Sequence, residues 1–202
     1  MLTRFALLLS LCAAPVLAQT TPGDLTGPPV PTTDFVPVAI DTSAGRIVVA
    51  LDRTHAPKTT ANFLAYVDAH KYDGESFYRA MPYDGGGLVQ GGIQSNALKL
   101  LKPVAHEPTS QTGIRNTAGV ISMASLGPGT AQADFFILTV DIPALDAKPG
   151  DPGFAAFGHV VEGMDVVKKI LASPVSLDKG EGALKGQMLD PPVTIITVAR
   201  QN

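Results

Sequence analysis

The segment "SFYRAMPYDGGGLVQGGI", residues 76–93, sets Arg79 directly after two aromatics and Gln90 beyond a glycine-rich run. The usual partners of a catalytic arginine are missing around it. His106-Glu107 is followed by Pro108-Thr109-Ser110, so the second histidine of an H-E-x-x-H zinc helix is absent. The 4 histidines, His55, His70, His106 and His159, stand at no ligand spacing, and no metal site or cofactor is expected. Ser122 sits in "VISMA" rather than a G-x-S-x-G elbow. Gly85-Gly86-Gly87 lacks the lysine of a phosphate loop and opens no helix, so it reads as a turn. What remains is Arg79 and Gln90 beside an apolar set, Leu88, Met123, Ala124, Phe135 and Phe136. This set can bind and polarise a substrate, but it offers no nucleophile. Phe135 and Phe136 are adjacent, so on a strand at least one faces inward, and core packing accounts for that one. In an alternating strand Phe77 and Arg79 share a face, so either that face is exposed or the arginine lies beside an apolar patch.

These residues must be held by strands. "VPVAIDTSAGRIVVALD" reads as two β-runs around Ser43-Ala44-Gly45, a hairpin. "APKTTANFLAYVDAHKY" follows as a helix with Pro57 at its start and an apolar stripe of Ala61, Leu64 and Ala65. The short runs "SFYRAM", "GLVQGGI", "GVISMA", "DFFILTV" and "FAAFGHVV" are strand candidates divided by Gly- and Pro-rich loops. "GMDVVKKILAS" gives a second helix with Val166, Val167, Ile170 and Leu171 on one side, and "PVTIITVAR" closes the chain as a strand. Many short strands with two helices predict a mostly antiparallel β-barrel with helices at its ends.

The chain has 202 residues, 45% hydrophobic and 16% charged, which suits one globular domain. Its net charge of −3 and the absence of any basic run exclude the electrostatic footprint of a nucleic-acid binder. The opening "MLTRFALLLSLCAAPVLAQT" carries Arg4, an apolar run from Phe5 to Ala14, and Val16-Leu17-Ala18 before the expected cut, the pattern of a secretory signal peptide over residues 1–18. That run is shorter than the roughly 20 residues of a membrane-spanning helix, so no membrane span is expected. The single cysteine, Cys12, lies inside the signal, and the mature chain can form no disulfide. Cys12 as a lipid-attachment site is the alternative, opposed by the bulky Leu11 before it. Residues 19–37, "QTTPGDLTGPPVPTTDFVP", read as a flexible Pro/Thr-rich linker, leaving a folded domain over 38–202. A periplasmic or secreted monomer is the expectation.

"APKTTANF", "SFYRAM", "GLVQGGI", "RNTAGVISMA", "ADFFILT" and "FAAFGHVVEGMDVVKKI" occur in the order and near-spacing of the cyclophilin-type peptidyl-prolyl cis/trans isomerases. The chain resembles that family from about Val38 to Arg200, and most of all its secreted bacterial type. F-x-R followed by Q-G-G is the family's active-site signature. The resemblance implies an eight-stranded antiparallel barrel capped by two α-helices, with a substrate groove on one outer face. It also implies rotation about X-Pro bonds in unfolded or exported polypeptides, assisting their folding. Carried over by position, Arg79 and Gln90 are the catalytic pair and Phe136 the floor of a proline pocket. Tyr78, Leu88, Met123, Ala124, Ser125, Asp134, Leu145 and Phe154 complete the substrate-binding set. The alternative reading is a non-catalytic chaperone that binds proline peptides on the same fold.

Three departures from the family stand out. Extra residues between Arg79 and Gln90 suggest an enlarged glycine-rich loop in which Gly87 replaces an aromatic. Asp134 stands where glutamine is usual, and Ala144 where a large aromatic is common. The groove is therefore expected to be wider and more acidic.

Overall fold

The computed structural model describes residues 34–94 and 96–201; the signal and nearly all of the linker lie outside them. The strands are β1 (Phe35–Thr42), β2 (Gly45–Asp52), β3 (Ser76–Tyr83), β4 (Gly86–Gly92), β5 (Val120–Met123), β6 (Phe135–Leu138), β7 (Ala156–Glu162), β8 (Val175–Ser176) and β9 (Met188–Arg200). They pair antiparallel in the order β1-β2-β7-β5-β6-β4-β3-β9, and β9 pairs back onto β1, closing an eight-stranded barrel. β8 pairs only with β9, outside the ring. Closure removes the free edges that an open sheet would present. β1 begins at Phe35, so the strand takes in residues that the sequence reading left to the linker.

Alternation sends one set of side chains inward from each strand. Val36, Val38 and Ile40 of β1, Ile47, Val49 and Leu51 of β2, Val89 of β4 and Phe135 and Ile137 of β6 share one interior cluster. Helices α1 (Pro57–Asp68) and α3 (Met164–Leu171) join it through Phe63, Tyr66 and Val67, and through Val167 and Ile170. A fully buried side chain of this size contributes about 1.5–3 kcal/mol. A third helix, α2 (Thr109–Thr112), is a single turn that the sequence reading did not anticipate.

The buried face of α1 differs from the expected stripe. Ala61 and Ala65 are exposed, while Thr59, Thr60, Phe63, Leu64, Tyr66 and Val67 are buried. The threonines are tolerated inside because they are paired: Thr60 Oγ1 donates to the Asp52 carbonyl at 3.0 Å and Thr59 Oγ1 to Glu107 Oε2 at 2.7 Å. Glu107, 2% exposed, also accepts from the backbone N–H groups of Lys58 at 3.2 Å and Thr59 at 2.7 Å. It caps the helix from outside, supplying negative charge and acceptors to donors that α1 leaves unpaired.

Candidate active site

A second, smaller apolar cluster lies apart from the interior one. Leu88, Val120, Phe136, Leu138, Ile142 and Ala156 form it, with Met81, Ala124, Leu145 and Phe154 packed around them. Phe135 faces the interior and Phe136 the outside of the same strand, as adjacent strand residues must. The Phe136 ring meets Phe154 edge to face, 5.4 Å between centroids and 83° between planes. Leu145 is held beside them by the backbone: Phe154 N–H donates to its carbonyl at 2.9 Å, and the buried Asn116 side chain donates to the same carbonyl at 3.1 Å. The result is an apolar cup on the outer wall of the barrel.

A bulge in β3 brings Arg79 to this cup. Phe77 pairs with Gly91 and Arg79 with Gln90, so Tyr78 is the extra residue. Phe77 and Ala80 face the interior, whereas Tyr78 and Arg79 join the hydrogen-bonded network on the outer wall, and the expectation that Phe77 and Arg79 share a face is corrected. A bulge re-aims side chains in this way by adding one residue to one strand. β3 and β4 then run on to a tight turn at Asp84-Gly85, with Met81 opposite Leu88, Pro82 opposite Gly87 and Tyr83 opposite Gly86. The expected enlarged loop is instead a longer paired hairpin. Gly87, at φ 151°, is held to glycine because a Cβ there would collide with the Met81 carbonyl.

Polar groups along this wall form one chain. Arg79 Nη1 donates to Gln90 Oε1 at 2.8 Å, and Gln90 Nε2 donates to the Tyr78 hydroxyl at 2.6 Å. That hydroxyl donates to Asp134 Oδ2 at 3.1 Å. On the other side, Arg79 Nε donates to Gln187 Oε1 at 2.9 Å. Among the described residues Arg79 Nη2 has only the Met81 thioether sulfur, at 3.3 Å, and thioethers are weak acceptors. The least committed edge of the guanidinium group is therefore the one beside Met81, which packs on the apolar cup.

Electrostatics follow from burial. Desolvation pushes the Arg79 pKa down, partly opposed by Tyr78, yet a guanidinium keeps its proton in proteins. Burial first, and the Asp134 charge second, push the Tyr78 hydroxyl far above its ordinary 10.0, so it remains a donor. Burial also lifts Asp134 above the usual carboxyl range, aided by the Glu75 charge and opposed by the Tyr78 hydroxyl and the Ile93 N–H. Among the described residues its buried Oδ1 has no well-formed hydrogen bond. Gly92 borders this carboxylate, and a Cβ there would collide with it.

Most of the residues singled out in the sequence meet here. Beside the cup lies a cleft of about 250 Å³ lined by Gln90, Ala124, Ser125, Leu126 and Asp134, among others. Met123 does not belong with them: it is 1% exposed and sits in the interior cluster, because alternation along β5 turns it inward. Ala144 is exposed at the rim. Sequence reading missed Gln187 and Met81. Met81 follows Arg79 by two on the same strand and was open to a register argument, whereas Gln187 lies far along the chain with no local signal. Among the described residues no group of three or more His, Cys, Asp and Glu side chains could hold a metal ion.

Arg79 and Gln90 thus place hydrogen-bonding groups next to an apolar cup. Comparison with known proteins shows the family. Residues 37–199 match the family described as cyclophilin type peptidyl-prolyl cis-trans isomerase/CLD. Peptidyl-prolyl cis-trans isomerase A of Dickeya dadantii is 42% identical over 137 residues, covering 66% of this chain and 70% of that protein. Peptidyl-prolyl cis-trans isomerase cyp18 of Streptomyces antibioticus is 38% identical over 150 residues, 71% and 87% of the two chains. A fungal relative, from Schizosaccharomyces pombe, is 36% identical over 139 residues, so the likeness is not confined to bacteria. The crystal structure of a cyclophilin type isomerase from Cryptosporidium parvum shares the fold, with a TM-score of 0.66 at 20% identity, over 84% of this chain and 99% of that one. With the family match running over nearly all of the barrel, this chain belongs to the cyclophilin-type peptidyl-prolyl cis-trans isomerase family.

Proposed function

We propose that the chain accelerates rotation about X-Pro bonds by seating proline in the Phe136 cup and donating from Arg79 to the proline nitrogen. Its substrates are proline-containing unfolded or exported polypeptides. The barrier to peptide rotation, about 18–20 kcal/mol, comes from resonance between nitrogen and carbonyl. In the twisted state that resonance is broken and the nitrogen regains a lone pair. A donor aimed at that nitrogen favours the transition state over either planar isomer, which is what lowers the barrier. No bond breaks, so neither nucleophile nor metal is needed. The observation that carries this reading is the Arg79 guanidinium, fixed on two sides by Gln187 and Gln90, with Nη2 against Met81, which packs on the apolar cup.

The N-terminal signal pattern supports export and the secreted bacterial type, with periplasmic or secreted monomers as the working form. The substitution of Asp134 for the family's usual glutamine favours one second reading, a chaperone that binds proline peptides without turning them over. A protease-coupled assay of the mature chain on an X-Pro peptide separates the two. We expect acceleration that survives a metal chelator. A folded sample that binds the peptide but leaves the isomerisation rate unchanged would favour the chaperone.

A further inference from the structure

The hydrogen-bonded chain through the site has a direction, and residues outside the family signature set it. An amide such as Gln90 has two orientations that differ by exchanging oxygen and nitrogen. Only one works here: with Oε1 toward Arg79, acceptor meets donor, whereas the flipped amide would set N–H groups against N–H groups. The Tyr78 hydroxyl can accept from Gln90 Nε2 because its own O–H donates to Asp134 Oδ2. Asp134 Oδ2 accepts from the Tyr78 hydroxyl, so the direction of the chain is set at Asp134. At the opposite end, Gln187 Oε1 accepts a hydrogen bond from Arg79 Nε–H and restrains rotation about the last bonds of a long side chain. Gln187 lies just before β9, and its backbone carbonyl also accepts from Ala80 N–H at 2.9 Å, which ties its position to the strand that carries Arg79.

We propose that Gln187 and Tyr78 are positioning residues that fix the Arg79 guanidinium and the Gln90 amide from opposite sides, with Asp134 as the terminal acceptor. Neither Gln187 nor Tyr78 needs to touch the reacting bond. They act by holding the donor edge toward the cup before substrate arrives, so that less ordering remains at the transition state. This rests on the reading of Arg79 as the catalytic group.

The test compares wild type with Gln187→Ala, Gln187→Glu and Tyr78→Phe. Two readouts are needed: kcat and KM on an X-Pro peptide, and the proton–nitrogen NMR signals of Arg79 Nε–H and the Gln90 side-chain amide. Loss of one hydrogen bond to a charged group predicts that Gln187→Ala lowers kcat by about tenfold while KM moves less than about twofold. Its Arg79 Nε–H should exchange faster with water. Gln187→Glu keeps the acceptor oxygen and should recover most of the rate and the protection. Tyr78→Phe should shift the Gln90 amide signals and lower kcat. An Arg79 Nε–H signal that is the same in Gln187→Ala and wild type overturns the inference whatever the activity. So does a Gln187→Glu variant as slow as Gln187→Ala. Protected signals that respond as described in a protein without turnover would leave the positioning intact and overturn the catalytic reading instead.

Discussion

Asp134 carries a charge that its surroundings resist. Burial, and then the nearby Glu75, hold its carboxyl above the ordinary 3.8, with the Tyr78 hydroxyl and the Ile93 N–H working the other way. A folded-state pKa raised above the unfolded one means that the fold prefers the protonated form. That stabilising contribution is complete below about pH 3.9 and is lost as pH rises through the higher folded value. Asp134→Asn should therefore gain stability relative to wild type between about pH 3 and about pH 7, as read by urea denaturation at both. An unchanged difference across that range would mean that the carboxylate is not penalised. The ionised form nonetheless serves the site, since it orders Tyr78 and through it Gln90. At this scale the sequence was informative about residue type: Arg79 and Gln90 stand out because no other chemistry competes with them, whereas Phe136 is singled out only by the family resemblance. It was uninformative about direction. Met123 resembled a groove residue and faces the interior, since one step along a strand exchanges the two faces.

Elements show the same division. Each strand candidate and both long helices were legible from apolar runs between Gly and Pro. The bulge at Tyr78 was not, because an inserted residue in one strand is defined by its partner, and pairing is not written locally. The extra residues before Gln90 extend a hairpin rather than a loop for a similar reason: Asp84-Gly85 can form the two-residue turn by adopting positive φ, at 39° and 75°, which leaves their neighbours free to pair. The stripe on α1 was misassigned because apolar character alone was counted, and buried threonines are invisible to that count until their partners are known. Glu107 is the clearest such partner. Glu107→Ala should destabilise the fold by about 2–3 kcal/mol, since it strips buried donors of a charged acceptor. Turnover at a temperature where the variant is folded should be preserved. A denaturation midpoint equal to that of wild type would show that water replaces the carboxylate at no cost.

The barrel as a whole explains why a site without nucleophile or metal can be built on an outer wall. β3, β4, β5 and β6 are rigid neighbours in a closed sheet, so side chains from each meet at fixed distances. The export reading also belongs to this scale. Signal cleavage after Ala18 predicts an exported chain whose mass begins at Gln19, and mass spectrometry of that form decides it; a mass beginning at a lipidated Cys12 would make it a tethered protein instead. The barrel wall bears the central claim, that Arg79 accelerates rotation by stabilising the twisted bond. The most direct measurement is kcat/KM on one X-Pro peptide for wild type, Arg79→Ala and Arg79→Lys, with thermal stability recorded alongside. Arg79→Ala should lose about ten- to a hundredfold, the worth of one charged hydrogen bond, at nearly unchanged stability. Arg79→Lys should recover little, because an ammonium lacks the planar fork that reaches Gln187, Gln90 and the cup together. An Arg79→Ala variant that turns over like wild type would contradict the account.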